Sequence, residues 1–227
     1  MGSQFPINPS LLEADSIWLE YQGRKILQNI YIKIEKGEVV ALLGRNGTGK
    51  SSLMKMILGS LRGQNQSVRV NGIYLKYPFK RNLLIRYLPQ VSLAPTNMKV
   101  EECFKIYEAD QSLACQYFPE LIKWLPEKLG DLSGGQQRLV EVLMVLLSPV
   151  HFVLLDEPFS HLAPVVVENL VRLIQATKQS KGILLSDHQY ETIMGMADRT
   201  YLLVPVGRTI LLNDARKELG YYGYINS

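Results

Sequence analysis

Gly44-Arg45-Asn46-Gly47-Thr48-Gly49-Lys50-Ser51 fits G-x-x-x-x-G-K-[ST], the phosphate-binding P-loop. The apolar run Val39-Val40-Ala41-Leu42-Leu43 precedes it, and Ser51-Ser52-Leu53-Met54-Lys55-Met56-Ile57-Leu58 follows with helix-forming residues. Four fixed positions arise by accident in roughly one chain in a hundred of this size, so the flanks decide the reading. A strand, a glycine loop and a helix in that order are the context the motif requires. Glycines let successive N–H groups turn inward on a phosphate, and the helix N-terminus adds partial positive charge. Lys50 supplies a mobile cation for the outer phosphates, and the Ser51 hydroxyl suits a Mg²⁺ ligand.

Working outward, residues 16–34 predict two strands, with a turn at Gln22-Gly23-Arg24. Ser67-Val68-Arg69-Val70-Asn71-Gly72 joins them as a third strand of an antiparallel region. Tyr21 lies on this region; its ring suits stacking on a base or ordinary sheet packing, and both stay open here. Lys76 to Arg86 mixes Lys76, Lys80, Arg81 and Arg86 with aromatics and reads as a solvated loop or a face for an acidic surface. Ile85-Arg86-Tyr87-Leu88 predicts a short strand ending at Pro89-Gln90, where a lone glutamine says little by itself. Val100 to Leu129, broken by Pro119 and Pro126, predicts two or three short helices that interrupt the β-α alternation.

Leu132-Ser133-Gly134-Gly135-Gln136 opens a mostly buried helix continuing through Leu147. Ser133 suits the N-cap, with Gln136 at the capping-box position. Neither explains Gly134-Gly135, each costing roughly 1 kcal/mol against Ala in a helix; bare backbone there suits close approach of an anionic ligand. Phe152-Val153-Leu154-Leu155 predicts a strand buried on both faces of a parallel sheet. Asp156 and Glu157 close it, at the strand end where ligands gather in open α/β sheets. One carboxylate suits Mg²⁺, the other an attacking water. Pro164 to Thr177 predicts a helix and Gly182 to Ser186 another buried strand, with His188 just beyond; a lone histidine is more often structural than functional. Tyr201 to Val204 and Arg208 to Leu212 read as closing strands, Arg216 to Gly220 as a terminal helix, and Tyr221-Tyr222-Gly223-Tyr224 as a tail without evident purpose. Strands alternating with helices indicate an α/β sheet with right-handed crossovers.

Composition limits the classes. A chain of 227 residues, 47% apolar and 20% charged, supports one large domain or a core with a small appended subdomain and excludes disorder. The net charge of +4 gives no footing for nucleic acid as a partner. Cys103 and Cys115 are too few for a disulfide framework and, beside a nucleotide site, point to a reducing cytosol. Met1 to Ser10 carries no basic-then-apolar leader pattern, and Pro6 breaks the myristoylation pattern that Gly2 would begin. The most apolar stretch, Val142 to Leu155, is broken by Ser148, Pro149 and His151 and falls short of the ~18 to 20 residues a membrane span needs. A soluble chain is expected, with any membrane role supplied by a partner.

Gly44 to Ser51, then Leu132-Ser133-Gly134-Gly135-Gln136, then Phe152 to Glu157 form an ordered set. With it the chain resembles the ATP-binding-cassette (ABC) ATPases, from about Leu11 to about Leu212. The pentapeptide LSGGQ is that family's signature, and five fixed positions recur by chance in roughly one chain in several thousand. Within the family, Leu155-Asp156-Glu157-Pro158-Phe159 and Ser186 to Thr192 look most like the subunits of lipopolysaccharide-export and branched-chain amino-acid transporters. The resemblance implies a P-loop NTPase (RecA-like) core with a parallel sheet, an N-terminal antiparallel β-subdomain and a small helical subdomain. One domain over 1–227 is implied, with core and β-subdomain at about 11–90 and 132–227 and the helical subdomain at about 91–131.

The same resemblance implies that ATP is held by Tyr21, Gly44, Asn46, Gly47, Thr48, Gly49, Lys50, Ser51 and Ser52. Ser133, Gly134, Gly135 and Gln136 of a second subunit, identical or different, would cap it. Glu157, His188 and Gln90 match the catalytic glutamate, the switch histidine and the Q-loop glutamine; Ser51, Gln90 and Asp156 match the Mg²⁺ site. An integral membrane permease subunit is the implied partner, placing the chain on the inner face of the cell membrane. One position departs from the pattern: Ser160-His161-Leu162-Ala163 carries Ala163 where the family places an aspartate that ties the two sites together. The expected activity is Mg-dependent hydrolysis of ATP coupled to transport. The alternatives are a soluble non-transport ATPase of the same superfamily and, because of Ala163, a nucleotide-binding regulatory subunit with weak hydrolysis.

Overall fold

A computed structural model describes residues 8–205 and 207–224. The expected absence of a leader at Met1 to Ser10 rests largely on residues outside that range. Two sheets organise the chain. The larger has strand order β10-β9-β3-β8-β7-β6, with β3 Val39–Leu43, β6 Ile85–Leu88, β7 Phe152–Asp156, β8 Gly182–Ser186, β9 Arg199–Val204 and β10 Arg208–Leu212. Its first five strands in sequence pair parallel, and β10 closes antiparallel on β9. Every residue of β3, β7 and β8 is buried, as strands covered on both faces require. Alternation divides them between two cores. Val39, Ala41, Leu43, Val153 and Leu155 face one, while Val40, Leu42, Phe152 and Leu154 face the other.

The second sheet is antiparallel, order β2-β1-β4-β5, with β1 Leu11–Tyr21, β2 Arg24–Glu35, β4 Asn65–Val70 and β5 Ile73–Tyr74. It shares its core with helix α1, Lys50–Leu58, through Leu12, Ile17, Ile30, Leu53 and Ile57. That helix therefore sits between the two sheets, with its N-terminus at the P-loop. β1 starts five residues earlier than the sequence pattern predicts. Register shifts between Ala14 and Ile17, around Ser16 with φ 53°, break the alternation that would have revealed its first half.

On the opposite face of the larger sheet lie α5 Gly134–Leu146, α6 Pro164–Thr177, α7 Tyr190–Met194 and α8 Ala215–Tyr221. Three short helices, α2 Val100–Tyr107, α3 Gln111–Tyr117 and α4 Leu121–Trp124, fill the expected interrupted stretch. They bury Val100, Phe104, Phe118 and Leu121 in the core that α5 supplies. Lys76 to Arg86 is mainly loop with a single 3-10 turn, Pro78–Lys80, and beside it Arg62, Lys76 and Lys80 crowd the Tyr77 ring at 5.0, 5.5 and 4.9 Å. Among the described residues no helix is long and apolar enough to cross a membrane.

Candidate functional site

The P-loop runs from the end of β3 into α1. A Cβ on Gly44 would stand 2.6 Å from the Leu203 carbonyl, so only glycine lets the loop leave the sheet this close to β9. Lys50 is 6% exposed, and its ammonium donates to the Gly44 and Arg45 carbonyls at 2.7 and 3.2 Å. Burial holds it below the usual lysine value, while the Asp156 and Glu157 carboxylates oppose that shift. The Thr48 hydroxyl also donates to the Arg45 carbonyl at 2.8 Å, so it shapes the loop from behind. In front opens a cleft of about 530 Å³ lined by Tyr21, Asn46, Gly47, Gly49, Lys50, Ser51, Ser52, Gln90, Glu157 and His188. Tyr21 is half exposed there.

Asp156 is fully buried at the end of β7 and accepts from the Tyr87 hydroxyl at 2.9 Å and the Gln90 amide at 3.3 Å. Burial, then the Asp156 charge, drives the Tyr87 phenol strongly upward, so it stays a donor. Glu157 leaves the strand in the left-handed region, φ 52°, with its N–H on the Ser186 carbonyl at 2.7 Å. Its Oε1 accepts from Gln90 Nε2 at 2.9 Å and meets His188 Nε2 at 2.9 Å, and its Oε2 accepts from the Ser160 hydroxyl at 3.3 Å. Asp187 fixes the backbone beneath His188 by accepting the N–H groups of Phe159, His188 and Gln189 at 2.8, 2.7 and 3.2 Å. Its burial raises the carboxyl pKa, partly offset by those same donors. Gln90 after β6 and His188 after β8, the two positions that the resemblance alone singled out, thus meet Glu157 after β7 at its carboxylate.

Sequence reasoning missed the pair that holds those strand ends together. Arg138 and Glu141 on α5 are 6% and 3% exposed and 3.5 Å apart. Arg138 donates to the Pro89 carbonyl at 2.8 Å and to the Asp156 and Glu157 carbonyls at 2.6 and 2.9 Å. Glu141 Oε1 accepts the Ser92 hydroxyl at 2.8 Å and the Leu93 N–H at 2.6 Å. The available signal was two opposite charges three residues apart inside an otherwise apolar helix.

Ser133 caps α5 as expected: its hydroxyl accepts the Gln136 N–H at 3.4 Å, and Gln136 Oε1 accepts the Ser133 N–H at 2.9 Å. The two glycines divide in purpose. A Cβ on Gly134 would meet nothing, leaving backbone free for a ligand, whereas one on Gly135 would stand 2.6 Å from the His161 carbonyl. The expectation that ligand approach explains both is therefore revised: Gly135 is required by packing within the chain. Ser133, Gly135 and Gln136 line a second cleft of about 250 Å³ with Trp124, His161 and Ala163. One chain does not bring them into the P-loop cleft. Ala163 is the N-cap of α6 and offers it no side-chain acceptor.

Among the described residues no three His, Cys, Asp or Glu side chains gather as a metal site. A magnesium ion carried by nucleotide phosphates uses only one or two protein oxygens. The donor chemistry of Ser51, facing the cleft, and Asp156, beside it, fits that demand.

A family model described as ABC transporter matches residues 27–160. The chain is 32% identical over 215 residues to the probable branched-chain amino acid transport ATP-binding protein LivF of Archaeoglobus fulgidus, covering 88% of this chain and 89% of that protein. It is 28% identical over 236 residues to the lipopolysaccharide export system ATP-binding protein LptB of Haemophilus influenzae, covering 94% and 98% respectively. A solved structure described as an ATP binding subunit of an ABC transporter superposes with a TM-score of 0.79 at 24% identity, over 96% of this chain and 95% of that one. That last likeness speaks to fold alone.

Proposed function

This chain belongs to the ABC transporter family, and from that premise we propose that it is the ATP-binding and hydrolysing subunit of a membrane transporter. The observation that carries this reading is the meeting of Lys50 and Ser51 with Gln90, Glu157 and His188 in one cleft. Lys50 exchanges the Gly44 and Arg45 carbonyls for the outer phosphates, and the P-loop N–H groups with the start of α1 take the rest. Tyr21 at the cleft mouth stacks on the adenine. Glu157 accepts a proton from the attacking water, oriented by Gln90 and His188, which already share its Oε1. Ser51 and Asp156, with Gln90 beside them, would hold a magnesium ion, whose charge would offset that of the phosphates.

The reading includes a dimer. Ser133, Gly135 and Gln136 line a different cleft from the P-loop, so the α5 N-terminus of a second subunit, identical or different, completes each nucleotide site. Residues 91–131 serve as the helical subdomain. Val91, in the segment after Gln90, and Ile106, on α2, are exposed, 72% and 59% accessible, and receive the permease. The chain is thereby held at the inner face of the membrane.

An ATPase assay with Glu157→Gln as control tests the enzymatic reading: a wild-type rate no faster than the mutant's would remove it. Sizing Glu157→Gln with ATP tests the dimer, which requires a shift from monomer. One observation favours a second reading, a regulatory subunit with weak hydrolysis: Ala163 lacks the carboxylate expected between the two sites. Restoration of a high rate by Ala163→Asp in a weakly active wild type would select it.

A further inference from the structure

The tail that the sequence left without purpose lies against the P-loop. Leu219 of α8 is fully buried in the core under the larger sheet, and the Tyr224 N–H donates to its carbonyl at 2.9 Å, fixing where the tail runs. The Arg45 guanidinium then lies 5.4 Å from the centre of the Tyr224 ring, at cation–π distance. Tyr190 meets the same ring edge-on, at 6.1 Å and 89°, the geometry the ring quadrupole favours. The Tyr190 hydroxyl points at the Gly44 carbonyl, 3.5 Å away. A second tie joins the same elements, since Arg216 of α8 pairs with Glu191 at the start of α7.

Arg45 belongs to the P-loop, and its carbonyl receives both Lys50 and Thr48. Tyr190 begins α7 just after His188 and Gln189. One C-terminal ring is therefore wedged between the loop that holds the outer phosphates and the segment that carries the histidine at Glu157. Glycine-rich backbone has many accessible conformations, so an outside support at Arg45 narrows the ensemble toward one cradle and lowers the ordering cost of binding. We infer that Tyr224 is a positioning residue for nucleotide binding, clasping Arg45 of the P-loop to Tyr190 of the histidine segment so that both present one preformed site. This rests on the reading of the P-loop cleft as an ATP site.

The test is steady-state ATP hydrolysis by the full chain, with Tyr224→Leu, Tyr224→Phe, Arg45→Met and the Arg45→Met/Tyr224→Leu double variant. Loss of one cation–π contact is expected to raise KM for ATP about five-fold in Tyr224→Leu, while kcat moves less than about two-fold, the signature of lost ground-state binding. Tyr224→Phe keeps the ring and restores the wild-type KM. Arg45→Met raises KM in the same direction by no more than Tyr224→Leu, and the double variant goes no further than Tyr224→Leu, since the Arg45 contact is part of the clasp that the ring makes. An unchanged KM in Tyr224→Leu, or single effects that multiply in the double variant, would overturn the clasp. Should Tyr224→Leu fail to fold, Arg45→Met decides alone, because the Arg45 side chain is exposed and removes no core; an unchanged KM there is equally fatal. A wild-type chain that binds no ATP would overturn the reading of the cleft as well, whereas normal wild-type binding with indifferent variants overturns only the clasp.

Discussion

Glu141→Ala tests whether the buried pair on α5 organises the strand ends that carry Gln90, Asp156 and Glu157. The substitution removes the carboxylate that accepts from Ser92 and Leu93 at 2.8 and 2.6 Å and faces Arg138 at 3.5 Å. Each charged hydrogen bond is worth about 1.5–3 kcal/mol, and breaking one side of a buried ion pair typically costs about 3–5 kcal/mol because the other charge stays behind. The Arg138 guanidinium keeps its three carbonyl acceptors, which limits the loss, so about 3–4 kcal/mol is expected. For a chain of this length that lowers Tm by roughly 10 °C. Glu141→Gln keeps an oxygen for Ser92 and Leu93 and should lose about half as much. The segment from Pro89 to Leu93 contains Gln90, so hydrolysis measured well below each variant's own Tm should still fall in Glu141→Ala. Thermal melts and a cycle with Arg138→Met provide the measurement. Coupling of at least about 1 kcal/mol is expected for groups in contact. A loss under about 1 kcal/mol for Glu141→Ala, or single effects that simply add, would refute the argument that the pair lashes β6 to β7.

Three other outcomes follow from the geometry. Gly135→Ala, whose Cβ would stand 2.6 Å from the His161 carbonyl, should cost about 1–3 kcal/mol in a melt, whereas Gly134→Ala should be neutral or slightly stabilising. Ala163→Asp gives α6 the N-cap acceptor it lacks and should stabilise by about 0.5–2 kcal/mol in chemical denaturation. Lys181 is 5% exposed, with its ammonium on the Leu146 and Ser148 carbonyls, and burial lowers its pKa to about 8. Its unfolded value is about 10.4, so between those two values the unfolded chain holds more protons and stability rises with pH on this account. Denaturation at pH 8 and pH 10 should show the wild type gaining on Lys181→Met by about 1–3 kcal/mol; a flat difference would contradict the burial effect.

What could be read in advance was whatever one local rule controls. Pro164 at N1 fixes the start of α6, and the uninterrupted apolar runs of β7 and β8 mark strands that need no alternation because both faces are covered. Lys50 and Glu157 were legible as residues because each follows directly on an apolar strand or its glycine loop, whereas Gln90 and His188 came only with the family resemblance. Their convergence was not, since it depends on strand order: β8 lies between β3 and β7, which no local pattern records. Arg138 and Glu141 escaped because a helix pattern counts them simply as polar, while their partners, the ends of β6 and β7, come from elsewhere in the chain. Tyr224 escaped for the same reason, its partners being 34 and 179 residues away at Tyr190 and Arg45.

The backbone at Glu157 carries a consequence for how this chain can change. A non-glycine residue at φ 52° gives up roughly 1–2 kcal/mol relative to glycine. On the proposed role of Glu157 as the acceptor of the water's proton, heat resistance and turnover therefore pull in opposite directions at this one position. A laboratory screen that rewards only survival on heating should enrich glycine or asparagine at 157, and under the proposed role the surviving lineages would bind ATP without hydrolysing it. Retention of glutamate there through such a screen would show that its contacts with Gln90, His188 and Ser160 outweigh the backbone cost.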